Sequence, residues 1–464
     1  MVEQHKARLR AKQRFNHDVP EAHSSAELRS NPGGVTLEKL EGATKEEKAG
    51  RKLDKAKNAS RWINSESVAL QKDDLFFKPG AMTKQVDVVI IGASFAGLPI
   101  AHSLLNSTLS IKVTLINPSP TFYFPIAAPR ILAKPAAFRS DEYLISIEDA
   151  FRQYSSQSFK FVKGKVTSLS VEEKTVLVDG QGLFSFDYLV IASGSTTESS
   201  ITSGSTPIPF KASNSDDMRS RIKAAQELIS TSSSIVIGGG GPIAVELAGE
   251  LAEAAMEVEK PVSITIVSAT ERVLPMLKIS GSEAAMKLLK NKNVVVRSSR
   301  KVIKTTPPVK GLGSWEIFLD NEEKLEADLY ISATGAIPNN NFVPQEFLDE
   351  KGWVKVDQEL RIRGKEGQAP LPIFAAGDIT NNSMRLSFKA QEQAAVVAAN
   401  IIADISGRTT RRSYDQGQCI LMMVPVGSTG GTGQVFGLTP WSVMVRLIKG
   451  RDYFISKAAS AVTA

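Results

Sequence analysis

Residues 86–105 read VDVVIIGASFAGLPIAHSLL, and residues 234–255 read SIVIGGGGPIAVELAGELAEAA. Each opens on an apolar run of the kind that fills a parallel strand buried on both faces. Each then turns on closely spaced glycines and enters an apolar stretch of helical length. In the first unit the strand spans 86–91, apolar except for Asp87, the helix 97–105 and the next strand 112–116. In the second, the strand is at 234–237, the turn at 238–241, the helix at about 242–255 and the next strand at 263–267. Two strand–turn–helix–strand units imply two dinucleotide-binding modules and suggest an internal duplication.

The first turn, Gly92-Ala93-Ser94-Phe95-Ala96-Gly97, follows GxGxxG with Ser94 at the middle glycine. Gly92 permits the tight turn, Gly97 permits close helix packing, and the amides between them can cradle a pyrophosphate. Asn117 stands where an acid ordinarily takes the ribose hydroxyls; its amide can still donate and accept. Further along, Ala192-Ser193-Gly194 ends an apolar strand and brings backbone close to a cofactor. Gly377-Asp378 ends another, with Asp378 placed to hold a polyol chain such as the ribityl of FAD, and Gly335 lies in a similar strand-end turn. Any one of these could be a plain structural turn; their joint order argues for FAD.

The second turn reads GxGxxA, from Gly239 and Gly241 to Ala244. The strand after it ends at Ser268, where an acid would favour NADH and repel the 2′-phosphate of NADPH. Arg272 is close enough in sequence to contact that phosphate, or it solvates the surface. The choice between NADH and NADPH stays open.

Composition narrows the chemistry. The 464 residues carry a net charge of +7, with 42% hydrophobic and 23% charged residues, ordinary for a globular protein. No dense basic stripe interleaved with aromatics is present, so nucleic acid is the less favoured partner. Three of the four histidines precede residue 82, leaving His102 alone in the body. That leaves no metal cluster and no Ser-His-Asp triad to expect, and points to chemistry carried by a cofactor. No apolar run reaches the ~20 residues of a membrane span, and no secretory signal is visible. The runs 419–426 and 441–448 are too short and are predicted as buried strand or helix. Residues 1–81 hold 16 Lys and Arg against 12 Asp and Glu and few large apolar residues. They are predicted as a disordered basic tail with a transient helix over 35–59, and Met82 is an alternative start.

The ordered motifs GASFAG (92–97), FPIAAPR (124–130), LVIASG (189–194), GGGPIAVELAGE (239–250), ATGAIPN (333–339) and FAAGDI (374–379) resemble the pyridine nucleotide-disulfide oxidoreductase superfamily. Within it, residues 82–457 most resemble fungal apoptosis-inducing-factor-like proteins of the mitochondrion-associated inducer of death type, relatives of ferroptosis suppressor protein. The resemblance implies an α/β fold with two Rossmann-like dinucleotide-binding domains, arranged as in the glutathione-reductase-like two-domain flavoproteins, plus a small C-terminal α+β domain. The expected divisions are 82–212 and 326–408 for FAD, 213–325 for NAD(P)H and 409–464 for the C-terminal interface domain.

By the same resemblance, residues 124–130 line the flavin, with Pro129 and Arg130 beside its ring. The Val166 backbone meets the adenine, or Val166 is a plain core valine. Glu246 points to the junction of nicotinamide and flavin, or is a solvated helix glutamate. Lys389 and Gln393 open a helix whose positive end faces the flavin carbonyls. Lys389 then stabilises reduced anionic flavin, or is a helix-face charge. Glu246 and Lys389 are the candidate catalytic residues.

Cys419 is the only cysteine, so one chain cannot form the dithiol relay of the disulfide reductases. The expected reaction passes hydride from NADH or NADPH to FAD, and then electrons to a quinone-like acceptor. A redox-sensitive signalling or nucleic-acid-binding flavoprotein is one alternative; a tailoring flavoenzyme of specialised metabolism is another. The C-terminal part, 411–464, is read as an interface element, with a membrane-surface element as its alternative. The chain is expected as a monomer or homodimer in the cytoplasm, with a membrane or lipid-droplet surface, or the mitochondrion, as alternatives.

Overall fold

Both apolar runs become inner strands of parallel sheets. The computed structural model describes residues 84–463 apart from 202–203, 213–216, 310–312 and 365–369. The expected tail at 1–81 and its helix at 35–59 lie outside the described residues.

The first sheet has the order Ile373–Ala375, Tyr188–Ile191, Val86–Ile91, Ile111–Asn117, Phe159–Lys163, all parallel. The second has the order Leu329–Ser332, Ser234–Gly238, Ser263–Val267, Val295–Arg297, again all parallel. A three-stranded antiparallel meander precedes Tyr188–Ile191 in the first unit and Leu329–Ser332 in the second. In the first it is Val166–Ser170, Thr175–Val178 and Gly182–Ser185; in the second, Val302–Thr306, Trp315–Leu319 and Lys324–Ala327. Four strands and the meander therefore repeat in the two units, and the first adds Ile373–Ala375 as a fifth strand. Val88, Ile90, Val113 and Leu115 are fully buried in the first, as are Ile237 and Ile266 in the second, which is why these runs carry almost no polar residue.

The chain crosses between the units twice, and the crossings run side by side. Ser195 pairs with Pro338 and Thr196 with Ile337 in a short antiparallel ladder. The return therefore lies near residue 338. The second unit does not end at 325, as read from the sequence, because Leu329–Ser332 pairs along Ser234–Gly238 and completes that sheet. The sequence Leu-Tyr-Ile-Ser is an apolar strand suited to either sheet, and pairing partners leave no local mark.

Two long helices lead away from the strand ends. Pro242–Glu257 starts with Pro242, whose fixed φ suits a first helical turn. Ser387–Ile405 packs on Gly97–Leu105. After it the chain is fastened to both units. The hairpin Met422–Pro425 and Gly431–Gln434 lies on helices Pro242–Glu257 and Ile279–Asn291, and the final turn Ser460–Thr463 lies on Gly97–Leu105. Val424, Val426, Tyr453 and Val462 join the main core and build no core of their own. Residues 441–448 depart from the expected buried element. Only Val445 is fully buried, whereas Trp441, Val443, Met444 and Leu447 are exposed. No helix among the described residues is long and apolar enough to cross a membrane.

Candidate functional site

The glycine pattern of the first turn is dictated by close approach. Gly92 has φ +105°, and a Cβ there would overlap the Ala192 carbonyl. A Cβ at Gly97 would overlap the Gly92 carbonyl oxygen. Gly377, at φ +85°, comes within 3.2 Å of the Ala96 methyl at its own Cβ position. Residues 92–97, 192–194 and 377–378 thus converge at the carboxyl ends of three adjacent strands, the crevice where open α/β sheets take their ligands. Ser94 and Phe95 form the half-exposed lip, and the Phe95 ring stands edge-on to Phe122 and Phe124 at 5.4 and 5.9 Å. Gly194 (φ +67°) leaves open space around itself. A cradle that excludes side chains at these points fits a dinucleotide pyrophosphate.

Asn117 is tied into the turn itself. Its Oδ1 accepts from the Ala93 amide at 3.0 Å and its Nδ2 donates to the Ser119 carbonyl at 2.7 Å. It holds the turn shut, and an aspartate could make only the first of these bonds. Val166 is buried among the side chains beneath the first sheet. The two crossings are stitched by Ser193 and Asn339. The Ser193 hydroxyl donates to the Asn339 carbonyl, and the Asn339 amide donates to the Ser193 carbonyl, each at 2.8 Å.

Asp378 stands at the strand end as expected, and its carboxylate is engaged. It accepts from the Ser195 hydroxyl at 2.8 Å and pairs with Lys211 at 2.6 Å. Lys211 also donates to Ser195. Neither partner was singled out from sequence; the available signal was a lone lysine closing the apolar run Ile208-Pro209-Phe210. Gln393 is fully buried, with its Oε1 accepting from the Gly377 amide at 2.6 Å and its Nε2 donating to the Asn382 carbonyl. It fixes the Gly377-Asp378 turn from the helix side. Lys389, one turn earlier, pairs with Glu392 at 2.7 Å.

The second turn repeats this logic with other contacts. Gly239 has φ +125°, and a Cβ there would stand 2.6 Å from the Ala333 carbonyl oxygen. A Cβ at Gly240 would overlap the Ser268 hydroxyl, whereas Gly241 and Gly335 face open space. Ala244 is fully buried. Ser268 is buried and shares a hydrogen bond with Thr270 at 3.0 Å. The Arg272 guanidinium turns away from the strand end, donating to the carbonyls of Pro275 and Leu277 and to the Ser282 hydroxyl. It braces the 274–282 loop.

Between the units lies a buried ionic cluster whose long-range pairing has no local sequence signal. Helix Ala128–Ala133 carries Pro129 and Arg130, both buried. Arg130 grips Glu250 bidentately at 2.9 and 2.8 Å and donates to the carbonyls of Gly450 and Arg451. Its guanidinium lies 4.7 Å from the Tyr453 ring centroid. Glu246 pairs with Lys449. It is therefore neither a solvated helix glutamate nor a free one. Burial pushes its carboxyl above the usual range, and Lys449 only partly offsets this. Two turns on, Glu253 behaves oppositely. Burial raises it, but hydrogen bonds from Lys134, Ser428 and Lys292 outweigh that and bring it down to about 2. Burial also holds the Tyr453 phenol well above its usual range, so it stays protonated. His102, the one histidine of the body, is a core residue bonded to Tyr154 and the Val462 carbonyl.

Comparison with known proteins agrees with this geometry. Residues 86–394 match the family described as pyridine nucleotide-disulphide oxidoreductase. The chain is 35% identical over 355 residues to oxidoreductase ptaL of Pestalotiopsis fici, covering 75% of this chain and 90% of that protein. It is 24% identical to ferroptosis suppressor protein 1 of Homo sapiens, covering 80% and 94%. Among solved structures, the sulfide:quinone oxidoreductase of Aquifex aeolicus superimposes with a TM-score of 0.66 at 18% identity, covering 82% and 92%. That likeness is one of fold.

Proposed function

Since the chain belongs to the pyridine nucleotide-disulphide oxidoreductase family, whose members use a flavin and NAD(P)H, we propose that this NAD(P)H-dependent flavoprotein carries FAD in its first unit and reduces a quinone-type acceptor. The observation that carries the reading is the pair of glycine cradles, each at the carboxyl ends of a parallel sheet, joined by crossings that run side by side. When bound, the flavin takes hydride from NAD(P)H and hands electrons on.

The chain's own residues bind and position. The 92–97 amides would hold the pyrophosphate of FAD, and Asp378, fixed by Ser195 and Lys211, would hold its polyol. The 239–241 turn receives NADH or NADPH. Glu246, on helix Pro242–Glu257, and Lys449 form a largely buried ion pair that fixes the local electrostatics. Cys419 is exposed and alone, so electrons leave for an external acceptor without a dithiol. A lipid-soluble quinone suits that route, with the protein on the cytoplasmic side of a membrane or lipid-droplet surface.

The test is stopped-flow absorbance of the bound flavin in the purified protein. NADH or NADPH should bleach it, and a soluble ubiquinone analogue should restore the colour; the faster nucleotide identifies the reductant. A flavin that neither nucleotide bleaches would overturn the reading, and bleaching without reoxidation by quinone would remove the acceptor from it.

A further inference from the structure

The helical turn that follows Trp441 is inverted in polarity. A surface helix ordinarily buries its apolar side and shows charge to water. Here Ser442–Val445 and its continuation Arg446–Gly450 place Val445 and Lys449 inward, the lysine on Glu246. At about 100° per residue, Val443, Met444 and Leu447 share the opposite face. They are 61%, 42% and 66% exposed, beside Trp441 at 80%.

The apolar surface continues beyond this turn. Phe436 and Leu438, in the preceding turn, are 63% and 72% exposed, and Ile279 is 64% exposed. Ser280 shares a hydrogen bond with Thr439 at 2.7 Å, and the Lys278 amide donates to Gln434 at 3.0 Å. These bonds bring Ile279 onto the same side of the molecule. Exposed apolar groups at this density mark an interaction surface.

Charge identifies the partner. Residues 416–451 contain Arg446, Lys449 and Arg451 and no acidic residue. Arg446, Arg451 and Lys278 are exposed around the apolar centre, whereas Glu271 and Glu283 line a depression on the Ile279 side. A two-fold contact with a second copy would set this cationic rim against itself. Anionic headgroups complement it, and an exposed tryptophan among aliphatic side chains suits the headgroup boundary.

We propose that the Phe436–Leu447 face docks on a bilayer containing anionic phospholipid, with Trp441 and Leu447 entering the headgroup region. The inference deepens the reading of a reductase with a lipid-soluble acceptor, and rests on it for its purpose.

The experiment is flotation of the full chain with vesicles of phosphatidylcholine, with and without phosphatidylserine. Binding is expected to the phosphatidylserine vesicles and to weaken with salt. Trp441→Ser with Leu447→Ser should weaken it at least about tenfold, at an unchanged melting temperature, since both side chains already face water. Arg446→Glu should remove much of the phosphatidylserine preference. Equal binding by parent and double variant overturns the proposal, as does a parent that stays unbound. So does a concentration-dependent dimer that the double variant dissolves while vesicles stay bare. Flavin bleaching by NAD(P)H is read on the same samples; its failure would strike the oxidoreductase reading and leave vesicle binding as a separate result.

Discussion

The two nucleotide units share the order of four parallel strands and one inserted meander, yet they tolerate different residues at matching places in their turns. In the first, the helix sits so close that Gly97 has no room for a Cβ, while Ser94 stands at the middle position. In the second, Ala244 is accepted and fully buried at the last position, while the middle one, Gly241, faces open space. A shared topology fixes where the cradle forms. The local distance between turn, helix and neighbouring strand fixes which glycines are obligatory. The motif alone would rank all of them alike.

The contrast is broken most directly by adding one methyl to each turn. Gly97→Ala forces the helix off its own turn, and the expected loss is about 4 kcal/mol or more, with little flavin retained. Gly241→Ala meets no neighbour, and its melting temperature should match the parent's. Thermal denaturation with flavin absorbance reads both; similar losses would show that the two turns are equally tight. Next in size is the clamp between the units. Arg130→Met leaves Glu250 buried without its cationic partner, at an expected cost of about 3–5 kcal/mol, and Arg130→Met with Glu250→Met should recover much of it. Urea unfolding monitored on both variants checks this; an additive double variant would deny the coupling.

Much of this architecture was legible in the sequence, and the reason is local. The strands, turns and first helices of both units follow from apolar runs and glycine spacing within about 30 residues. The strand-end positions of Gly92, Gly97, Gly239 and Asp378 could be read because strand ends announce themselves. Lys211, Glu250 and Lys449 were not, since Lys211 meets Asp378 across 167 positions and Lys449 meets Glu246 across 203. The same blindness left Arg272 open between a phosphate contact and the surface, and gave no sign of the loop carbonyls to which it donates. It also read 441–448 as buried: an apolar run says nothing about which side of a helix meets the body.

The helix Pro242–Glu257 offers a smaller contrast, between carboxylates that pH should move in opposite senses. Glu246 is raised by burial, so the folded state holds its proton more tightly than the unfolded chain. Its contribution is fully present below the unfolded value near 4.5 and is lost as pH rises through the folded one. Lys449→Met removes the partner that limits that rise and should cost about 2 kcal/mol at mildly alkaline pH, less on acidification. Glu253 is lowered to about 2, so its contribution is present above about 4.5 and fades as pH falls toward 2. Lys292→Met should narrow that acid-side window. Melting temperature against pH for the two variants distinguishes them; parallel profiles would mean the carboxylates are not opposed.

The smallest expected effect bears on why the first unit keeps Asn117 where an acid is usual. Asn117→Ala leaves the Ala93 amide and the Ser119 carbonyl without their partner, at about 1–2 kcal/mol. Asn117→Asp keeps the acceptor for Ala93 and loses only the donor to Ser119, so it should cost less than alanine. If the asparagine serves mainly to shut the turn, aspartate should bind flavin no better than the parent. If instead aspartate raises flavin affinity, the ribose is read at this position and the turn closes by other means. Flavin release during dilution, measured by its fluorescence for the three proteins, separates the outcomes. The second unit supplies the control, because Ser268 packs against Gly240 and bonds to Thr270. Ser268→Ala should loosen that strand end without altering flavin release, which confines any flavin effect of Asn117 to its own turn.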